Sequence, residues 1–145
     1  MTRPRILLVE DDRLVRMNLA LVLGREGYAL DMAVCAADAY ELLDRGHYDL
    51  ILADIGLPDE SGLEVLHAVK RSDPSTRVLL VTGSENPPTR EQAALEGAEL
   101  ALGAHVLAVG AGIGRALRPS ATVHAQRVAS TAPDERGFQD EVAAA

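Results

Sequence analysis

Three carboxylates and one hydroxyl stand where this sequence could do chemistry. Glu10 and Asp11 follow the apolar run Arg5-Ile6-Leu7-Leu8-Val9, Asp54 follows Leu50-Ile51-Leu52-Ala53, and Thr82 follows Val78-Leu79-Leu80-Val81. Carboxylates brought within a few ångströms repel, by roughly 4 kcal/mol for unit charges 4 Å apart at a surface-like dielectric. A divalent cation relieves that repulsion, and hard oxygen ligands favour Mg²⁺. Such a cation also polarises an incoming phosphoryl group and shields its charge from the attacking carboxylate. Asp54 as nucleophile would form an acyl phosphate, and Thr82 could donate a hydrogen bond to a phosphoryl oxygen. Each residue alone has a plainer account. Acids after strands cap helices or solvate turns, Asp54 could shape a turn before Pro58, and a threonine at a strand end is ordinary. The conjunction carries the weight.

These residues become a site only if the elements before them bring them together. Arg5 to Val9 is apolar on both faces and is followed by a helical pattern, as in a central parallel strand. Asp12 can cap the next helix, with Leu14, Val15, Leu19, Val22 and Leu23 at helical spacing and Gly27 placed to end it. The pattern repeats: strand Ala29 to Val34, helix Ala36 to Arg45 closed by Gly46, and strand Leu50 to Ala53 ending at Asp54. Ser61-Gly62-Leu63-Glu64 has capping-box spacing and opens a third helix, with Leu63, Leu66 and Val69 on its inner face. Strand Val78 to Val81 and helix Arg90 to Glu96 follow. Strands alternating with helices imply parallel crossover units, hence an α/β fold: a doubly wound open parallel sheet flanked by helices. Ligands bind such sheets beyond the carboxyl ends of the strands, where the strand order reverses.

After Gly97 the pattern loosens into an Ala- and Gly-rich stretch. A fifth strand fits Leu100 to Leu102 or, if the fourth helix runs on, His105 to Val109. A fifth helix around Ile113 to Leu117 would be short and weakened by glycine. We expect one domain over residues 1–118 and a flexible tail over 119–145, where composition turns polar and small.

Composition narrows the function. Hydrophobic residues form 48% of the 145, enough for a sizeable core, but aromatics are only 3%, so aliphatic side chains must fill it. A net charge of −8 argues against direct nucleic-acid binding, which needs concentrated Lys and Arg. Arg outnumbers Lys thirteen to one, Lys70 being the single lysine. One cysteine, Cys35, cannot form an internal disulfide, which suits a reducing cytoplasm. No signal peptide or membrane span is recognisable.

With these residues in place, a family resemblance emerges. Val9-Glu10-Asp11-Asp12 resembles the acidic signature after the first strand of response regulator receiver domains, the phosphoprotein modules of two-component signal transduction and phosphorelays. Asp54-Ile55-Gly56-Leu57-Pro58-Asp59-Glu60-Ser61-Gly62 is similar to their phospho-acceptor loop, and Val81-Thr82-Gly83 to the end of their fourth strand. The intervals from Asp11 to Asp54 and from Asp54 to Thr82, 43 and 28 residues, also fit. The resemblance implies a flavodoxin-like five-stranded sheet and a signalling module rather than an enzyme. It implies Mg²⁺ held by Asp11, Asp54, Glu10 (through water) and the Gly56 carbonyl, with Asp54 as phospho-acceptor. Thr82 would bond the phosphoryl group and act as a switch, turning inward to shift the face of the fourth helix, fifth strand and fifth helix. The partners implied are a sensor histidine kinase or phosphotransfer protein and a downstream protein of unknown identity. A homodimer is compatible with it; nucleic acid and membrane contacts are not expected.

The chain departs from the family in two places. Receivers usually carry a lysine after the fifth strand; Ala104 stands at that position and His105 at the proline that commonly follows. The aromatic that usually couples to the threonine falls at Ala101. Three accounts are open: a degenerate receiver that binds partners independently of phosphorylation, replacement of the missing charge by Arg115 or Arg118, or an altered reading of an ordinary receiver after about residue 100. A small phosphatase using Asp54 transiently is disfavoured, because such hydrolases want a second acid two residues on and Gly56 stands there. Gly110 to Gly114 lacks the spacing and lysine of a nucleotide loop. His47, His67, His105 and His124 show no metal-ligand spacing.

Overall fold

The computed structural model describes residues 3–83, 88–102 and 106–117. Its elements are β1 (Arg5–Val9), α1 (Arg13–Arg25), β2 (Ala29–Ala33), α2 (Ala36–Arg45), β3 (Leu50–Asp54), α3 (Gly62–Ser72), β4 (Arg77–Thr82), α4 (Arg90–Leu95), β5 (Ala98–Leu102) and α5 (Val106–Ala116). The strands form one parallel sheet in the order β2-β1-β3-β4-β5. This is the expected doubly wound architecture.

Alternation along the strands explains how one sheet supports two cores. Leu7, Val9, Ile51, Ala53, Val78 and Leu80 face one side, where α2 and α3 deliver Ala36, Ala39, Val65, Leu66 and Val69, and α4 adds Ala93. Ile6, Leu8, Leu50, Leu52, Leu79 and Val81 face the other, against Leu19 and Leu23 of α1 and Val109 and Ile113 of α5. Both sets are almost fully withdrawn from water. A one-residue slip in any strand would exchange the two sets, so burial itself pins the register.

Several local expectations change in three dimensions. Of the apolar residues at helical spacing in α1, Leu19 and Leu23 are buried whereas Leu14 is 76% exposed. Its core stripe is therefore narrower than its apolar content. At α3, Ser61 Oγ accepts from the Leu63 amide at 3.2 Å rather than from Glu64, so the cap forms one residue early. A reciprocal capping box does occur at α4, between Thr89 and Gln92. The fifth strand is Ala98–Leu102, the earlier of the two placements, because Gly97 adopts φ +90° and ends the fourth helix.

The fifth helix corrects the sequence reading outright. It spans eleven residues, Val106–Ala116, rather than a short stretch around Ile113 to Leu117. One of its glycines is used for approach: a Cβ on Gly112 would lie 2.7 Å from Leu79 Cδ1 and 3.4 Å from Ala101 Cβ. Small residues at 101 and 112 let the helix sit close on the sheet, and that packing outweighs weak helix propensity. Ala104, His105, Arg118 and the tail 119–145 lie outside the described residues.

Candidate functional site

The strand order reverses between β1 and β3, and that is where the acids gather. Val9 pairs with Ala53, so Glu10 and Asp54 occupy neighbouring strand ends, about 5 Å apart by the spacing of adjacent strands. Asp54 pairs with Val81, which puts Thr82 one residue beyond on the next strand. Carboxylate oxygens of Glu10, Asp11 and Asp54 lie within 4.8 Å of one another. The sequence-predicted acids thus converge, with Glu10 buried, Asp54 half-buried and Asp11 exposed.

Backbone donors orient the group. The Asp12 amide donates to Glu10 Oε1 at 3.1 Å, and Asp12 itself caps α1 by accepting from the Val15 amide at 3.1 Å. The Gly56 amide donates to Asp54 Oδ1 at 3.1 Å. Behind Asp54 the chain is unusually crowded: a Cβ on Gly62 would overlap the Asp54 carbonyl oxygen and lie 3.0 Å from Ile55 Cα. Only glycine lets the start of α3 pack against the end of β3. Thr82 is buried, at 4% exposure.

The crowding is electrostatically costly. Burial first, then the charge of Asp54, pushes the Glu10 carboxyl up to about 7, against the Asp12 amide that favours its ionised form. Asp54 is raised too, by burial and by Asp11, with the Gly56 amide opposing. An all-oxygen, anionic cluster open on the Asp11 side has the donor chemistry a hard divalent cation requires. Residues whose environments penalise their own charge are also those expected at reactive sites.

Sequence reading missed the residues that hold this cluster. Arg16, on the first turn of α1, donates from Nη1 to the carbonyl oxygens of Glu10 at 3.0 Å and Asp11 at 3.2 Å. Its position one turn past Asp12 was the available signal. Asp59, in the loop between β3 and α3, and Tyr40 on α2 carry no sequence signal for the bonds they make.

Apart from Arg16, the two described basic residues weighed for the site, Arg115 and Lys70, are engaged elsewhere. Arg115 donates to Glu99 Oε2 at 3.1 Å and to the Leu100 carbonyl at 2.8 Å. Glu99 pairs with Leu79, roughly 10 Å short of the carboxyl edge at Thr82, so Arg115 is not turned toward the acids. Lys70 donates to the carbonyls of Pro74 and Thr76, at the amino end of β4 and a full strand length from the site.

The family model described as the response regulator receiver domain matches residues 6–103. The chain is 38% identical over 86 residues to the transcriptional regulatory protein PmrA of Pectobacterium parmentieri, covering 59% of this chain and 39% of that protein. It is 41% identical over 81 residues to the transcriptional regulatory protein BasR of Escherichia coli K12, covering 56% and 36%. The chain thus matches less than half the length of these relatives. Among solved structures, it superposes on the response regulator protein TrrA from Thermotoga maritima, in complex with Mg²⁺-BeF, with a TM-score of 0.61 at 29% identity over 71% of this chain and 87% of that one. It shares the fold of the Vibrio cholerae chemotaxis protein CheY4, at TM-score 0.71 and 22% identity over 80% and 100%. No helix among the described residues is long and apolar enough to cross a membrane.

Proposed function

The chain belongs to the response regulator receiver domain family, and on that premise we propose that Asp54 accepts a phosphoryl group from a histidine kinase or phosphotransfer protein in a Mg²⁺-dependent reaction. Receiver domains are signalling modules rather than catalysts of turnover, and output here runs through protein contact in the cytoplasm. The observation that carries the reading is the convergence of Glu10, Asp11 and Asp54 at the β1/β3 reversal. Mg²⁺ would be held by Asp11, Asp54, the Gly56 carbonyl and, through water, Glu10, and when bound it offsets the crowded negative charge and polarises phosphoryl oxygens. An Asp54 oxygen attacks phosphorus, the P–O bond of an acyl phosphate forms, and the bond to the donor's leaving nitrogen or oxygen breaks. Thr82 would donate to a phosphoryl oxygen and relay its presence toward β5, a role supported by its burial one residue beyond the strand partner of Asp54.

One face of α1 supports a protein donor. Leu14, Met17 and Leu21 are exposed at 76%, 53% and 55% and recur at i, i+3 and i+7, so they line the outward side of the helix that starts beside the acids.

A second reading, a receiver that binds partners without being phosphorylated, is favoured by the positions of Lys70 and Arg115, neither of which reaches the acids. Intact-protein mass after incubation with Mg²⁺ and a small acyl phosphate decides between them, with Asp54→Asn as control. One added phosphoryl group, absent in the variant, supports the acceptor. Mg²⁺ binding without any adduct supports the second reading.

A further inference from the structure

The loop between β3 and α3 carries Gly56, and its two ends are secured differently. At its base Gly56 bridges Ser61 and the Gly62 amide donates to the Ile55 carbonyl at 2.9 Å. Its tip is fastened to another element altogether. Asp59 Oδ1 accepts from the Ala36 amide at 2.9 Å and Oδ2 from the Ala37 amide at 3.0 Å, which are first-turn donors of α2. Cys35, the N-cap residue of α2, makes no side-chain cap bond, so Asp59 caps the helix from 23 residues away. One turn further along α2, the Tyr40 hydroxyl donates to Glu60 Oε2 at 2.6 Å.

We propose that α2 is the strut of the acceptor loop, and that Asp59, seconded by Tyr40 through Glu60, is a positioning residue that sets where Gly56 stands relative to Asp54. The inference rests on the acceptor reading of Asp54 for its functional meaning, though its geometric content does not. Only Leu57 and Pro58 separate Gly56 from Asp59, and the proline ring fixes its own φ. Displacement of Asp59 therefore reaches Gly56 with little slack. Its amide would leave Asp54 Oδ1, and its carbonyl would leave the place proposed for a metal ligand. The Asp59 carboxylate stays ionised while it caps the helix, because two α2 amides pull it down to about 2.

The test uses the full chain and three variants, Asp59→Ala, Asp59→Asn and Tyr40→Phe, well below their unfolding temperatures. Two quantities are read: exchange of the Gly56 amide in the metal-free protein, and Mg²⁺ affinity by titration calorimetry. Asp59→Ala is expected to speed Gly56 exchange and to weaken Mg²⁺ binding by about tenfold, the scale seen when a partner supporting a metal ligand is removed. Asp59→Asn keeps one accepting oxygen and should recover part of both, and Tyr40→Phe should show a smaller loss. A lower unfolding temperature with Gly56 exchange and Mg²⁺ affinity unchanged would reduce Asp59 to a helix cap and overturn the proposal. A parent chain that takes no phosphoryl group leaves the exchange readout intact, so failure of the acceptor reading shows separately. Should Asp59→Ala not fold, the Asn and Phe variants decide by the same two readouts.

Discussion

At the scale of single residues, the site is built against its own stability. Glu10 is buried beside Asp54, and its carboxyl is raised to about 7 from an ordinary 4.5, by burial foremost. In the metal-free chain Glu10 is protonated below pH 4.5 whether folded or not, and contributes no penalty. As pH rises toward 7 the unfolded chain ionises while the folded one keeps its proton, so stability falls; above about 7 the penalty is complete. We expect the metal-free protein to unfold at lower temperature at pH 8 than at pH 5, by an amount on the order of 1 kcal/mol once solvent screening is allowed for. Asp54→Asn should weaken that dependence, leaving the part due to burial, and Mg²⁺ should stabilise the parent most at pH 8. Thermal unfolding at the two pH values, with and without Mg²⁺, checks this; a parent more stable at pH 8 without metal would contradict it. Gly62 makes the companion case. Its missing Cβ leaves room for the Asp54 carbonyl, so Gly62→Ala should cost about 1–3 kcal/mol through overpacking against backbone that cannot yield, measured by denaturant unfolding.

At the scale of elements, α5 shows how context reverses a propensity. Glycine in a helix interior is about 1 kcal/mol less favourable than alanine, yet α5 carries Gly110, Gly112 and Gly114 within eleven residues. A Cβ on Gly114 meets nothing within 4 Å, whereas one on Gly112 meets fully buried Leu79 at 2.7 Å. Gly114→Ala should therefore stabilise by about 0.5–1 kcal/mol, while Gly112→Ala, with the same propensity gain, should destabilise through overpacking. Equal effects in chemical denaturation would mean that α5 does not rest on the sheet through position 112. The same contact accounts for Ala101, which is buried 3.4 Å from the Gly112 Cβ position. An aromatic there would push the helix away.

At the scale of the molecule, the sheet delivers the acids to one rim and α1 offers an apolar stripe beside them. Leu14 and Leu21 are exposed, so replacing both with glutamine should shift stability by no more than about 0.5 kcal/mol. We expect that double variant to take a phosphoryl group from a small acyl phosphate as the parent does, but to lose about tenfold in kcat/KM from a protein phosphodonor. Undiminished transfer from the protein donor would remove α1 from the docking surface; equal losses with both donors would point to a disturbed acid cluster instead.

The sequence by itself determined the alternation of strands and helices, the parallel sheet and the identity of Glu10, Asp11, Asp54 and Thr82 as strand-end groups. These follow from periodicity and from abrupt changes between apolar and charged residues, which are local signals. It also showed that Lys70 is the last lysine. Only the tertiary structure decided which cores α1 and α5 bury, why Leu14 faces water, and how a glycine-rich stretch forms an eleven-residue helix. It decided, too, that Arg115 serves Glu99, that Arg16 braces the acidic turn and that Asp59 caps a helix 23 residues upstream. Each of these depends on which segments the sheet register brings side by side, and a chain read in one dimension carries no distance between residues far apart along it.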